Sequence, residues 1–520
     1  MSSADAAGPA PDPRRWQALG VVGAAFLMTG LDISIVNVAL PTIGRQLHFA
    51  PENLQWVVSA YAIAFGGFLL LGGRAADLLG RRAVFAAGVV LFTGASLGCG
   101  LSRSETTLIV FRAVQGVGAA VIAPAALSIV STAFPEGAER NKALGVWGAL
   151  GGSGAAVGVI LGGILTKYAG WDWIFFVNVP IGAAALALTP VFVRESRIAV
   201  TRRRYDPLGA VVSSASIALL VYAISKAPDV GWAATRTIVL LVVAVTLLGV
   251  FLLVEQRSSE PLMPLSIWRL RTVTTANVLG IVVGAVMFST FFVLTLYAQQ
   301  VLRYSALQTG LAMLATALTA IVAAGAAEAL VTRLGPKYVM TAGVAFMCGG
   351  LVYFAQIPVD GTYFRDLFGP LVLIGLGTGF SFVPISIVAL AGVPERQTGL
   401  ASGLMNTTQQ VGGAVGVAIV STIFATHLAH AVADGMPPAQ AMVDGFRLGY
   451  WLLAAVALAG CAAVVLLLRG VHVGEPAETH VVSPFCVNRA ATSALATVVL
   501  GGGAAAELPA AASSLPTGSG

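Results

Sequence analysis

The sequence predicts an all-α integral membrane protein with fourteen membrane-spanning helices, and three observations support this fold class. The 520-residue chain has 57% hydrophobic and only 10% charged residues, whereas soluble domains have roughly 25% charged residues. Apolar stretches of about 20 residues, the length that crosses a bilayer core, follow one another from Ala18 to Leu468. The Lys and Arg residues are unequally divided between the loops on alternate sides of these stretches.

The apolar runs fall into blocks of six, two and six. Charged residues, prolines and polar clusters bound each run. The predicted helices are 18–40, 54–73, 83–101, 107–130, 143–166 and 173–193, then 208–225 and 237–254, then 272–298, 306–330, 338–356, 367–390, 400–426 and 448–468. The predicted domains are a cytoplasmic N-terminus at 1–15, a first half at 16–193, a basic loop with two inserted helices at 194–271, a second half at 272–469, and a tail at 470–520. The tail is rich in Ala, Gly, Ser and Pro, so we expect it to be disordered in the cytoplasm.

The basic residues orient the predicted helices. If the N-terminus is cytoplasmic, 20 of the 29 Lys and Arg residues lie in inside segments and eight lie outside, while Arg112 lies within a span. This is the positive-inside bias of membrane proteins, so we expect a multi-pass protein of the inner (cytoplasmic) membrane with both termini in the cytoplasm. The net charge of +6 is spread along the whole chain, so topology explains it better than nucleic-acid binding does.

An internal repeat supports the same division. DLLGRR at 77–82 reappears as TRLGPK at 332–337, and PEGAERNKALGVWGALGGSGAAVGV from Pro135 is echoed by PERQTGLASGLMNTTQQVGGAVGVA from Pro394. Two related six-helix halves with two helices inserted between them would produce both echoes, and repeated halves are a common plan of transporters. Chance similarity between Gly-rich helices is the alternative.

Two charges lie inside predicted helices. Asp32 precedes Pro41 by nine residues, which places it ~13 Å below the outer surface, where an ionised carboxylate costs roughly 2.5–3.5 kcal/mol. Such an acid can load and release a proton. Arg112 lies at a comparable depth, and making or breaking a pair between them would link protonation to rearrangement. A permanent structural pair, with Arg112 as a fixed tie between helices, is the alternative. Gln115 follows one turn later and could line the same cavity.

The segment GGRAADLLGRR joins the second and third predicted helices. Gly73 and Gly80 permit a tight cytoplasmic turn. Asp77 can cap the next helix or accept hydrogen bonds from the end of a facing helix, and so hold the inner side shut as a latch. Arg81 and Arg82 would contribute to this latch, or do no more than fix the orientation of the chain.

The fifth predicted helix carries a glycine face. Gly154, Gly158 and Gly162 recur at intervals of four, followed by Gly163, and such glycines let membrane helices approach closely. The glycine spacing is compatible both with movement of the helix at this surface and with static packing.

Uncharged polar residues and one further acid are the candidates for a substrate cavity. The candidate residues are Asn37, Gln115, Gln299, Glu328, Asn406, Gln409 and Gln410. Polar contacts between helices explain the amides equally well, and Glu328 lies near enough to a helix end to snorkel.

Several other activities find no support in the sequence. It contains no CxxC or His/Cys ligand cluster, no Walker-type phosphate loop, no HExxH and no nucleophile elbow. We therefore expect neither an enzyme nor a bound metal or cofactor.

Three segments, in order, resemble the major facilitator superfamily and its fourteen-helix drug:proton antiporters. They are LDISIVNVALPTI, GGRAADLLGRR and LIVFRAVQGVGAA, and the resemblance extends over roughly residues 16–469. It implies the major facilitator fold, a central cavity between the halves, alternating access, and proton coupling through Asp32 and Arg112. The energy source would be the proton gradient, without any cofactor.

The resemblance also implies a function. We expect proton-coupled efflux of small hydrophobic or cationic drugs or antibiotics across the lipid bilayer by a monomer, as in actinomycete antibiotic exporters. Proton-linked transport of another small metabolite is the alternative. The antiporter signature GxxxGPxxGG here reads GAAVGVILGG, with Val159 in place of proline, so the choice between antiport and other coupling stays open.

Overall fold

In the computed structural model of the chain, residues 13–49, 54, 56–135, 137–195, 207–258, 261 and 263–468 are described. This part of the chain contains fourteen long helices and no strand. The helices are α1 (Arg15–Gln46), α2 (Trp56–Leu79), α3 (Arg81–Gly100), α4 (Glu105–Ala133), α5 (Ala138–Tyr168), α6 (Trp173–Phe192), α7 (Pro207–Val230), α8 (Thr235–Arg257), α9 (Arg271–Val301), α10 (Ala306–Leu334), α11 (Pro336–Phe354), α12 (Tyr363–Leu390), α13 (Thr398–Ala433) and α14 (Pro438–Leu467). The predicted tail at 470–520 and most of the predicted basic loop lie outside the described residues.

Thirteen of these helices are long and apolar enough to cross a membrane. The other one, α5, is 31 residues long, and its described apolar part is the shorter segment Val157–Tyr168. The helices carry apolar side chains over about 20 residues, which is the span of a bilayer core. The predicted all-α membrane fold is confirmed, and the protein is a multi-pass membrane protein.

Several helices extend beyond their predicted bounds. The prediction left 427–447 as a loop between the last two helices, but α13 continues to Ala433 and α14 begins at Pro438. The prediction was wrong here because apolar runs mark only the part of a helix that lies in lipid. Polar residues continue the same backbone hydrogen bonds beyond the lipid core.

The predicted turn after the second helix is also shorter than expected. Because α2 continues to Leu79, Gly73 and Asp77 lie within the helix and not in a turn. The chain reverses at Gly80, whose φ of 105° is a conformation that glycine adopts at little cost. Gly73 instead allows α2 to approach a neighbour, because a Cβ placed on it would lie 2.9 Å from the carbonyl carbon of Gly399 in α13.

The first six and last six helices pack in the same pattern. In the first block α1 packs on α5 and α6, while α2 and α3 pack on α4. In the last block α9 packs on α13 and α14, while α10 and α11 pack on α12. Two contacts between the blocks also correspond, because α2 packs on α13 and α5 packs on α10. We refer to them as the α2–α13 and α5–α10 interfaces.

The glycines of α5 bring it close to α1. A Cβ on Gly154 would lie 3.2 Å from the carbonyl carbon of Gly30, and one on Gly158 would lie 2.6 Å from the carbonyl oxygen of Leu31. Gly162 makes the next contact, at Ile35. Gly163 lies on a different face, with Leu307 of α10 3.2 Å from the position of its Cβ.

Candidate functional site

A buried ion pair lies inside the first block of helices. Arg112 of α4 donates from its guanidinium to Oδ2 of Asp32 in α1 at 2.5 Å. Asp32 is 0% and Arg112 is 1% exposed. Both charges were identified from the sequence, and the structure places them in direct contact. Because both groups are buried, each charge needs the other as a partner.

Two amides complete the shell around the carboxylate. Gln115 donates from Nε2 to Oδ1 of Asp32 at 2.8 Å, and Asn178 of α6 donates from Nδ2 to the same oxygen at 3.1 Å. Both amides also donate to the hydroxyl oxygen of Ser96 in α3, at 2.5 and 3.2 Å. Oδ1 of Asn178 is buried and has no partner in the described part of the chain. Asp32 therefore accepts three hydrogen bonds from side chains of two helices.

Arg112 also forms contacts other than its ion pair with Asp32. Its Nε donates to the carbonyl oxygen of Val57 in α2 at 2.8 Å, and its guanidinium also donates to Oε1 of Gln115 at 2.6 Å. The guanidinium carbon lies 4.4 Å from the ring centroid of Tyr61, in cation–π geometry. Tyr61 in turn donates its hydroxyl to the carbonyl oxygen of Thr29. Five helices, α1, α2, α3, α4 and α6, thus meet at one charged cluster.

The carboxylate of Asp32 connects side chains of several helices. A proton on Asp32 would cancel the negative partner of Arg112 and turn an acceptor of three hydrogen bonds into a donor. Because breaking a buried pair leaves an uncompensated charge, such a change would disturb all five helices at once.

The sequence reasoning found half of the cluster and missed Ser96, Asn178 and Tyr61. Serine and tyrosine are common in membrane helices, and their position in the sequence does not reveal their partners. Asn178 did carry a signal, because it is the one amide in the apolar run 173–193. A buried amide in a membrane helix needs partners and often faces another polar group.

The candidate latch residues form a second polar contact, at the α2–α13 interface. Asp77 is buried and accepts hydrogen bonds from the backbone N–H groups of Gly399 and Leu400, both at 2.9 Å. These N–H groups belong to the first turn of α13, where a helix has unpaired donors and a partial positive charge. Of the two roles expected for Asp77, the structure shows contact with a facing helix end.

The two arginines of this segment point to different partners. Arg81 is buried and donates to Oγ1 of Thr398 at 3.1 Å, so it also reaches the start of α13. Arg82 lies beside Glu195, with its backbone N–H donating to Oε1 at 3.3 Å. Arg81 therefore joins the two blocks of helices, whereas Arg82 contacts residues that follow α6.

The candidate cavity residues are not brought together. Asn37 and Gln299 are exposed, and Gln115 belongs to the buried cluster. Glu328 packs beside Gly145 at the α5–α10 interface.

The amides of α13 have different neighbours. Asn406 donates to the carbonyl oxygen of Ser402 in its own helix. Gln409 packs against Gly280 and Gly284 of α9, and Gln410 contacts Gly66 of α2. A shared role of these residues in one cavity stays a prediction.

No group of three or more His, Cys, Asp or Glu side chains suited to a metal ion occurs among the residues that the structure describes.

Comparison with known proteins agrees with this architecture. The family model of the Major Facilitator Superfamily matches residues 22–417. The chain is 39% identical to the puromycin resistance protein of Streptomyces alboniger over 88% of this chain and 90% of that protein. It is 38% identical to the cephamycin export protein of Amycolatopsis lactamdurans, over 78% and 84% of the two chains. The tetracenomycin C resistance and export protein of Streptomyces glaucescens is 32% identical, over 89% and 86%.

A solved structure is similar in fold. The crystal structure of the human organic anion transporter MFSD10 superposes with a TM-score of 0.61, covering 86% of this chain and 100% of that one, at 15% sequence identity. The family match spans most of the described helices, and the fold and the relatives agree with it. The chain therefore belongs to the major facilitator superfamily, and it is a transporter protein.

Proposed function

We propose that this protein exports small hydrophobic or cationic compounds, antibiotics among them, by alternating access driven by proton entry. The observation that carries the coupling is the Asp32–Arg112 pair, buried in the first block of helices. The relatives named for puromycin and tetracenomycin C resistance and for cephamycin export support the substrate class. The protein would act as a monomer in the cytoplasmic membrane, with both termini in the cytoplasm and no cofactor.

The surroundings of Asp32 support a role in proton exchange. A carboxylate at 0% exposure is costly in a membrane, and here three donors, one of them the cation Arg112, offset that cost. Protonation would release Arg112 from its anion, and Arg112 contacts the backbone of α2 through Val57. Helix α2 in turn forms the α2–α13 interface between the blocks. Protonation of Asp32 would therefore act, through the side chain of Arg112, on an interface that has to open during transport.

The contact between Asp77 and α13 supports alternating access. It lies at the end of α2 that the predicted topology assigns to the cytoplasm, and we infer that this conformation is closed on that side. Inward opening requires that the two hydrogen bonds to Gly399 and Leu400 break. The two halves would then rock about a central site, as repeated halves do in other transporters.

The test of coupling is Asp32→Asn in inverted membrane vesicles. Asparagine keeps the shape of the side chain but cannot exchange a proton, so we expect substrate uptake driven by a pH gradient to be abolished. Substrate exchange without a gradient should persist, because that process needs no proton, and it also reports that the variant is folded. Puromycin is the first probe, followed by a panel of cephamycin, tetracenomycin C and lincomycin.

Asp172→Asn serves as the matched control. Asp172 precedes α6, is partly exposed and pairs with Arg103 at 3.9 Å, outside the buried cluster. Its replacement should leave gradient-driven uptake unchanged. Undiminished gradient-driven uptake by Asp32→Asn would refute coupling through this residue. A lack of any resistance to the whole panel, in an efflux-deficient host that makes the folded protein, would refute the substrate class.

A further inference from the structure

An apolar cavity of about 480 Å³ lies where the inserted helices meet both blocks. Its walls come from five helices, with Leu70 of α2, Ile217 of α7, Leu248 of α8, Ile281 of α9 and Val411 of α13 among them. The segment between α8 and α9 forms part of the remaining wall. The volume is within the range of ligand pockets, roughly 300–1,000 Å³. The cavity is remote from the buried charge cluster, which lies among α1, α2, α3, α4 and α6.

The hydroxyl groups that line the cavity do not donate hydrogen bonds into it. No charged residue lines the cavity, and its three hydroxyl groups belong to Ser216, Thr407 and Thr408. Each of these donates to a carbonyl oxygen in its own helix, at 2.8 to 2.9 Å. The occupied donors leave an apolar surface, which favours an apolar occupant.

The cavity opens on the outer surface of the helix bundle. Among its lining residues, Val245, Leu252 and Ile281 are 61%, 36% and 43% exposed. In a membrane-spanning protein, this surface faces hydrocarbon. An acyl chain can therefore enter sideways, without crossing any polar layer.

Two exposed arginines follow a tryptophan that lines the cavity. Trp268 lines it and is 37% exposed, and tryptophan is typical of the interface between hydrocarbon and headgroups. The neighbouring Arg269 and Arg271 are exposed, and neither forms an ion pair within the described part of the chain. Two arginines without an ion pair among the described residues thus follow an aromatic residue at the edge of an apolar cavity.

We propose that this cavity binds one acyl chain of an anionic phospholipid, whose phosphate pairs with Arg269 and Arg271. The apolar lining selects the chain, and the arginines select the negative headgroup. A cationic compound would find no acid in the lining and two repelling charges beside it. The predicted topology places this segment on the cytoplasmic side, where anionic lipid is abundant.

The site has a structural consequence for the inserted pair. Helix α8 packs mainly against α7, whereas the cavity lies between α8 and helices α9 and α13. A bound acyl chain fills that gap and supplies contacts that α8 does not make with protein. The lipid thereby becomes part of the packing between the inserted pair and the second block.

The test is a lipid titration of the purified full-length protein, followed by native mass spectrometry. Phosphatidylglycerol and phosphatidylcholine with identical acyl chains are compared. Each surface arginine contributes roughly fivefold to binding of anionic lipid, so the first phosphatidylglycerol should bind about 25-fold more tightly. Arg269→Gln/Arg271→Gln should reduce this preference to within about twofold, while Arg333→Gln/Arg396→Gln, which removes two exposed charges elsewhere, should preserve it.

A second pair of variants tests the cavity. Leu248→Trp fills it and should abolish the first high-affinity site for both lipids, whereas Leu253→Trp, on the outer face of the same helix, should retain that site. If Leu248→Trp fails to fold, Ile281→Trp fills the cavity from α9. The proposal is overturned if the wild type shows no preference for phosphatidylglycerol, if the control charge variant loses it equally, or if the filled cavity binds lipid normally. Displacement of the lipid by puromycin would assign the cavity to substrate and overturn it as well.

Discussion

At the scale of single residues, Asp32 shows what a carboxylate needs inside a membrane helix. It lies beside a cation and accepts three hydrogen bonds from Arg112, Gln115 and Asn178. Removing one partner of a buried pair typically costs about 3–5 kcal/mol. The cluster is therefore a substantial part of the packing among its five helices as well as a candidate proton site.

Asn178→Ala measures how much one neutral donor contributes to this cluster. The variant removes hydrogen bonds to Asp32 and Ser96, and a bond to a charged group contributes about 1.5–3 kcal/mol. We expect the free energy of unfolding in mixed micelles to fall by that amount, and gradient-driven efflux to slow.

The control is Asn37→Ala, which removes an exposed amide bonded to the carbonyl oxygen of Ile33 in its own helix. It should change the free energy of unfolding by less than about 0.5 kcal/mol. Equal effects of the two variants would show that the amide of Asn178 has no special role.

The sequence predicts charged site residues better than neutral ones. Asp32 and Arg112 are conspicuous because an ionised group is rarely found in an apolar run. Ser96 has no such signal, since a serine in a membrane helix commonly bonds to its own backbone, as Ser216 does here. Which serine faces a cluster depends on the rotation of the helix, and rotation follows from packing between helices.

At the scale of helices, α5 packs against one neighbouring helix through glycines and against another through a side chain. Its glycines receive the backbone of α1, whereas Val159 projects toward α10 and occupies the space beside Gly310. Val159 stands at the proline position of the antiporter signature that this segment resembles, so a valine side chain makes the contact with α10 here. The pair joins one block to the other at the α5–α10 interface.

Gly310→Ala tests this contact. The new Cβ would overlap the side chain of Val159, and overpacking of this kind costs about 1–3 kcal/mol. We expect a lower free energy of unfolding and slower transport. Val159→Gly in the same chain should restore both, because it clears the space.

A double-mutant cycle supplies the measurement. Gly94→Ala is the control, because no atom lies within 4 Å of the position of its Cβ. Additive effects of Gly310→Ala and Val159→Gly would contradict a direct contact between the two positions.

Helix number follows from composition, whereas helix ends do not. Fourteen apolar runs gave fourteen helices, because the length of a span is set by the bilayer. The ends of α13 and α14 were misplaced because 427–433 and 438–447 are helical although polar and charged side chains interrupt their apolar runs. Local packing supports the helices there. His427, for example, lies next to Gly445 of α14.

At the scale of the whole molecule, the α2–α13 and α5–α10 interfaces between the blocks differ in chemistry. At the α2–α13 interface, Asp77 contributes a charge to two backbone donors. Thr332 corresponds to Asp77 in the sequence repeat, and at the α5–α10 interface it accepts one hydrogen bond from Asn141 at 3.2 Å. At these equivalent positions, one interface thus has a charged contact and the other a neutral contact.

Asp77→Asn tests the charged contact. The amide can accept only one of the two bonds and lacks the charge that the start of α13 favours, a loss of about 1–2 kcal/mol. We expect the closed state to lose population by a factor of roughly 5–30. The readout is the rate at which a thiol reagent labels a cysteine at buried Ala401, in a chain whose native cysteines are replaced.

Asp434→Asn is the control, because this acid is exposed at the other end of α13. It should leave the labelling rate unchanged. An unaltered rate in Asp77→Asn would show that the carboxylate does not hold the closed state.

The repeat predicted the arrangement of helices more completely than the contents of the site. Its echoes at 77–82 and 332–337 correspond to equivalent positions in the two blocks, so related segments imply related packing. The site itself does not repeat. All buried charges of the Asp32 cluster are in the first block, and the described part of 272–468 has no buried charged residue.

The Asp32 site occurs in only one of the two related blocks, and this affects the driving force for export. If Asp32 carries one proton inward per cycle, export of a monovalent cation is electroneutral, and only the pH difference drives it. Export of a neutral compound by the same cycle is electrogenic, because one positive charge moves inward. The membrane voltage then adds ~2.3 kcal/mol per 100 mV to the driving force. The charge of the exported compound, and not its affinity alone, would therefore set how steep a gradient this protein can maintain.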